Sequence, residues 1–225
     1  MTRGISIGLL AEGDTDMRFF KSIIERTFKQ IRNECKKQID IYEIEEISNT
    51  KGTVSKEAIL EAAKETQKEG LMVLCVHIDA DNKSDVAVFK NKINPVLVDL
   101  KKKDSTRYCH TLLPIVPIQE TEAWMLADKE LLKNYLRTKK TYKELGIDVK
   151  PENVADPKEK IKNAIRKAKE HQTKRKRKSR SNLEISDLYQ IIGTNLALEK
   201  LEPLSSYKKF EENVRKVFRE LNYLH

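Results

Sequence analysis

Apolar runs of strand length alternate with amphipathic stretches over the first 137 residues of the chain. The mainly apolar run from Ile5 to Leu10 reads as a buried strand, and Phe19, Phe20, Ile23, Ile24 and Phe28 then recur at helical spacing. Ile39, Ile41, Ile44 and Ile47 lie in a second extended segment, and Ile59, Leu60 and Ala63 mark the next helix, which Gly70 ends. Leu71 to Ile78 is the most continuous apolar run and predicts a strand buried on both faces. A helix is predicted from Asp85 to Lys102, a fourth strand ending near Ile118, and one further helix through Ala123, Trp124, Leu126, Ala127, Leu131 and Leu132. Strictly alternating strands and helices predict an α/β fold, an open, mostly parallel sheet with helices on both faces. Trp124, Phe19, Phe20 and His77 are assigned to the core.

Past Tyr142 the chain becomes highly charged and helix-forming, with Pro151 and Pro157 at the join. Two units are expected on this ground, an α/β domain over residues 1–139 and a C-terminal helical lobe over 140–225. The lobe shows apolar stripes at Ile161, Ala164, Ile165 and Ala168, from Leu183 to Ile192, and at Phe210, Val214, Val217, Phe218 and Leu221. None of these stripes carries a catalytic constellation.

Charge sharpens this picture. The formal net charge is +9, and the acid-free run Lys174, Arg175, Lys176, Arg177, Lys178 and Arg180 supplies six of those charges, which leaves +3 for the remainder. Basicity that local suits a polyanion contact, DNA or RNA, although such runs also serve as plain solvated loops. Cys35, Cys75 and Cys109 are scattered and, with the four histidines, give no zinc spacing, so reduced thiols in the cytoplasm are expected. The apolar runs fall well short of the roughly 20 residues that a bilayer span requires, and acids arrive before any signal-peptide core develops. No membrane association is expected.

The chemistry lies in acids placed just after three of the apolar runs: Glu12 and Asp16, then Asp79 and Asp81, then Glu120 and Glu122. In a parallel sheet ligands bind beyond the carboxyl ends of the strands, so these acids converge if their strands are neighbours. Carboxylates gathered in this way hold hard divalent ions against a phosphate. Glu12 and Asp16, four apart at a helix entrance, share one side of it. Asp79 and Asp81 share a side if their segment is extended, Lys83 is placed to meet a phosphate oxygen, and Glu122, with Glu120 as the alternative, closes the cluster. Acids after strands are also ordinary helix caps, and that plain reading stands beside the functional one.

Ala11-Glu12-Gly13-Asp14-Thr15-Asp16, behind a strand and ahead of Phe19-Phe20, resembles the opening motif of TOPRIM domains, the metal-binding fold of topoisomerases, primases and overcoming-lysogenization-defect nucleases. Ile78-Asp79-Ala80-Asp81 resembles that fold's Asp-x-Asp motif, and Gln119 to Asp128 resembles a TOPRIM-like group that includes RloB-like proteins of bacterial defence loci. The resemblance implies a TOPRIM-like domain binding Mg2+ or Mn2+, two ions about 3.5–4 Å apart in such sites, with Glu12, Asp16, Asp79, Asp81 and Glu122 as ligands. Glu12, Asp79, Asp81 and Glu122 would be the catalytic groups of a metal-dependent nuclease in anti-phage defence, acting with a separately encoded ATPase. The chain has no Gly-x-x-x-x-Gly-Lys-Ser/Thr loop of its own. Two other classes stay open: a haloacid-dehalogenase-like phosphatase using Asp79 as nucleophile, and a non-catalytic nucleic-acid-binding adaptor.

Overall fold

The computed structural model describes residues 3–48, 52–170 and 183–224. Four strands form one open, all-parallel sheet in the order β2-β1-β3-β4: β1 (Arg3–Leu10), β2 (Ile39–Glu46), β3 (Val73–His77) and β4 (Leu112–Ile115). Leu9 pairs with Cys75, and Cys75 with Leu113, so the three strands that precede the acid pairs are immediate neighbours. The α/β architecture predicted from the alternation is the one observed.

Side-chain alternation divides the core in two. Ile5, Ile7, Leu9, Val73, Cys75, Leu113 and Ile115 point to one face, where α1 (Asp14–Arg32) lays down Phe19, Phe20, Ile23, Ile24 and Phe28. Leu10, Leu74, Val76 and Ile78 point to the other, covered by α2 (Lys56–Lys68) through Ile59, Ala62 and Ala63. The helix predicted from Asp85 to Lys102 is a composite on this second face: α3 (Val86–Val88), a wider π turn (Phe89–Ile93) and α4 (Asn94–Leu100) run end to end. Beyond β4, the single helix expected through Leu132 is instead two, α5 (Thr121–Met125) and α6 (Lys129–Leu136), because Asp128 starts a new helix by accepting the Leu131 N–H at 2.9 Å.

The C-terminal segment builds α7 (Tyr142–Leu145), α8 (Pro157–Lys169), α9 (Leu188–Asn195), α10 (Leu198–Leu201) and α11 (Ser205–Glu220). Its apolar stripes, Ile161, Ala164, Ile165, Ile192, Phe210, Val214 and Phe218, lie in one continuous core with α1 and the sheet. Two features fix that packing. A Cβ on Gly193 of α9 would collide with the Phe19 carbonyl oxygen, so only glycine allows the two helices this approach. Arg26 of α1 then donates to the carbonyls of Gly193 and Leu196 at the end of α9, at 2.6 and 2.5 Å. Trp124, fully buried as expected, donates to Ser206 at 2.8 Å, and Ser206 in turn donates to Glu152. This chain of bonds ties α5 to the start of α11. No helix among the described residues is long and apolar enough to cross a membrane.

Candidate metal centre

Two backbone features shape the carboxyl edge of the sheet. At the end of β1 the chain turns through Glu12 and Gly13 into α1, whose first turn carries Asp16 and whose N–H groups lack a side-chain cap. Those unsatisfied donors and the helix dipole favour negative charge here. Beyond β3 and β4 the two loops stay laced together: Ile78 N–H bonds to Ile115 O, Ala80 N–H to Pro117 O, Asp81 N–H to Gln119 O, and Gln119 N–H to Asn82 O. Asp81 (φ 50°) and Gln119 (φ 66°) both adopt the left-handed conformation, which costs energy for residues other than glycine.

One oxygen of Asp79 gathers both donors of Thr121 and faces His77. This atom, Oδ1, accepts from the Thr121 N–H at 2.8 Å and the Thr121 hydroxyl at 3.3 Å, and lies 3.1 Å from His77 Nε2. The Thr121 hydroxyl is also 3.1 Å from His77 Nε2, which closes the triangle. His77 Nδ1 is buried without a partner, so Nε2 is the nitrogen turned toward the carboxylates. Asp16 completes the group: ligand atoms of Asp16, His77 and Asp79, from α1, β3 and the loop after it, all lie within 4.8 Å of one another. Burial disfavours a charged His77, but the Asp79 carboxylate, with Asp16 and Glu12 beyond it, outweighs that and raises its pKa above the ordinary value. Glu12 is raised too, chiefly by burial, with Asp79 and Asp81 adding to the effect while His77 and Lys92 oppose it.

Two carboxylates and one imidazole around a common point form a donor set that fits a divalent ion, and the nitrogen suits Mn2+ better than Mg2+. Hydrogen bonds that all fall on Asp79 Oδ1 leave its second oxygen for an ion, the arrangement by which outer partners orient a ligand.

A second group stands beside the first. Glu122, only 2% exposed, accepts the Tyr189 hydroxyl on Oε1, and the Lys158 ammonium lies 3.4 Å from that same oxygen. Glu120 accepts the backbone N–H of Lys158, and its Oε2 is buried without a partner. Burial, reinforced by Glu122 and Asp79, raises the Glu120 pKa. Burial also raises that of Tyr189, with the Glu122 carboxylate adding to it, so the phenol keeps its proton. Lys158 loses solvation, yet Glu122, Glu120 and Asp16 more than compensate and its pKa rises. Lys92 of the π turn stands 4.0 Å from Glu12. Lys209 of α11 secures the start of that turn by pairing with Asp85 at 2.6 Å and lying 4.1 Å above the Phe89 ring.

The expected residues therefore divide. Asp16 and Asp79 meet in the ligand group, and Glu12 borders it. Glu122 lies next to it but is engaged by Lys158 and Tyr189. Asp81 is exposed, because its left-handed backbone breaks the extended alternation that would have set it beside Asp79. Lys83 is exposed in the same loop, its N–H bonded to the Asn82 side chain, and the cations beside the acids are Lys92 and Lys158 instead. The basic run from Lys174 to Arg180 lies outside the described residues. His77, assigned to the core, is indeed buried and packs 4.4 Å from Phe20, but its Nε2 belongs to the site. A histidine two residues before Asp79 on a strand was the available signal. Lys158 and Tyr189 come from the segment judged free of catalytic groups, and no local pattern marks either.

Fold and site together define an α/β protein with an acid-rich, ion-compatible centre at the carboxyl edge of a parallel sheet. The chain belongs to the DUF4276 family, a domain of unknown function, which it matches over residues 11–193. That span contains Glu12, Asp16, His77, Asp79, Thr121, Glu122, Lys158 and Tyr189. No curated protein and no solved structure matches the chain.

Proposed function

We propose that this protein is a metal-dependent nuclease that hydrolyses phosphodiester bonds in DNA or RNA. The observation that carries the reading is the convergence of Asp16 from α1 with His77 and Asp79 from the end of β3 and the loop after it to within 4.8 Å. Its support from sequence is the order of the motifs, a glutamate after β1 and an Asp-x-Asp after β3, on adjacent strands, as the TOPRIM resemblance implies. In this reading Asp16, His77 and Asp79 hold Mn2+ or Mg2+, which when bound polarises the phosphate and lowers the pKa of its water. Thr121 fixes Asp79 through its N–H and hydroxyl. Glu12, whose raised pKa brings it closer to neutrality than a free carboxylate, accepts the proton from the attacking water. Lys92, beside Glu12, and Lys158, beside Glu122, meet the anionic substrate.

The phosphatase alternative is less well supported. Its nucleophile would be Asp79, but both donors of Thr121 already draw charge from one oxygen of that carboxylate, and the partner acid Asp81 is exposed in a left-handed turn. The same resemblance makes the nuclease a cytoplasmic defence effector that works with a separately encoded ATPase. Replacing Asp79 by Asn tests the proposal: it keeps the shape, removes one ligand charge, and should abolish cleavage and weaken Mn2+ binding in a folded protein. A variant that cuts as fast as the parent would refute it.

A further inference from the structure

Hydrolysis with two ions needs cationic charge on both sides of the phosphate. Among the described residues one group is arranged to hold an ion, Asp16 with His77 and Asp79. Of the acids that would hold a second ion, Glu122 is engaged, and Glu120 is engaged on one oxygen while its Oε2 is buried without a partner. Glu122 is buried and accepts from Tyr189, with the Lys158 ammonium 3.4 Å from the same oxygen, and Glu120 accepts the Lys158 backbone N–H. The ammonium is attracted by Glu122, Glu120 and Asp16 together, so one member of the ion group, Asp16, also acts on Lys158.

We propose that Lys158 takes the place of a second metal ion, so that the site operates with one divalent ion and one ammonium. The proposal rests on the metal-dependent reading above and makes it more specific. An ammonium is a compact point charge on a flexible stem, suited to standing beside carboxylates and to meeting a phosphate oxygen. At 48% exposure the Lys158 side chain reaches solvent while its charge is held by Glu122, and a second divalent ion would have to displace it against like-charge repulsion. Tyr189, which keeps its proton, holds Glu122 in position for the ammonium. The substrate is then a phosphodiester bound between the ion at Asp16 and Asp79 and the ammonium of Lys158.

The test is Mn2+ titration, following free Mn2+ by electron paramagnetic resonance, of the full chain and its Lys158→Met, Lys158→Gln and Lys158→Arg variants, each checked for folding by circular dichroism. Expected are one tightly bound Mn2+ per chain in the parent and in Lys158→Arg. Lys158→Met and Lys158→Gln should take up a second, weaker Mn2+ where the charge was removed. Two ions on the parent chain would overturn the inference while leaving the metal-dependent reading intact. One ion in all four proteins would also overturn it, since the ammonium would then exclude nothing. No ion on the parent would remove the metal-dependent reading itself, and Asp79→Asn measured alongside tells these failures apart.

Discussion

Asp79 shows how much of this site depends on single atoms. One carboxylate oxygen takes both donors of Thr121 and faces His77 Nε2, and partners of this kind typically affect ligand affinity by about 10- to 100-fold. Thr121→Val keeps the backbone donor and removes the hydroxyl, so Mn2+ affinity measured by calorimetry should fall about tenfold. His77→Leu should lower it further, and His77→Gln, whose amide oxygen can serve as a ligand in place of Nε2, should recover part of the loss. Affinity should also depend on pH with a fixed sign. Glu12 and His77 both have raised pKa values, so each keeps its proton to a higher pH than a free group does, and an ion bound at or beside them competes with that proton. Binding should be weak at low pH, strengthen as pH climbs through the raised Glu12 value and then the raised His77 value, and level off above it. An affinity that stays flat from below 4.5 to above 6.5, the ordinary values of the two groups, would separate them from the ion. At this scale the acids were legible because each directly follows an apolar run. Asp81 was misplaced because a left-handed turn leaves no mark in an Asp-Ala-Asp-Asn sequence, and His77 was correctly read as core, but nothing local shows that its Nε2 faces Asp79.

Among the elements, the approach of α9 to α1 is the most exacting. The atoms that a Gly193 Cβ would meet are Phe19 backbone, which has no rotamer through which to yield. Gly193→Ala should therefore push the helices apart and destabilise the fold by about 1–3 kcal/mol, read as a lowered thermal midpoint. It should also disturb the site, because α9 carries Tyr189. The left-handed turn at Gln119 works in the opposite sense: Gln119→Gly relieves a strained backbone and should cost little stability or raise it by up to about 1 kcal/mol. The alternation of strands and helices was readable because periods of 2 and 3.6 differ plainly. Element ends were less so. β4 stops at Ile115 where the apolar run continues to Ile118, because the chain there leaves the strand and pairs loop to loop with the segment after β3. The break between α5 and α6 is set by Asp128, a capping residue inside a stripe that otherwise keeps helical spacing.

At the scale of the whole molecule, the segment after residue 140 completes what the sheet begins. Its helices share the core with α1, and it supplies Lys158 and Tyr189 to the centre, two groups invisible to any local motif because only tertiary packing brings them to Glu122. The net charge of +9 is concentrated in the run from Lys174 to Arg180. Replacing its six basic residues with Gln or Ser should weaken nucleic-acid binding and flatten its salt dependence, by about 0.9 in the slope of log affinity against log salt for each duplex phosphate that is no longer neutralised. Mn2+ binding should be unchanged. An unaltered slope would make the run a solvated loop. The central claim, that the ion held at Asp16, His77 and Asp79 drives phosphodiester hydrolysis, is tested most directly by single-turnover cleavage with protein in excess over labelled DNA and RNA. Parent chain and Asp79→Asn would be compared in Mn2+, in Mg2+ and in chelator. Strand breaks by the parent only with metal, and none by Asp79→Asn, are the result expected; cleavage that persists in chelator, or that Asp79→Asn retains in full, would contradict it.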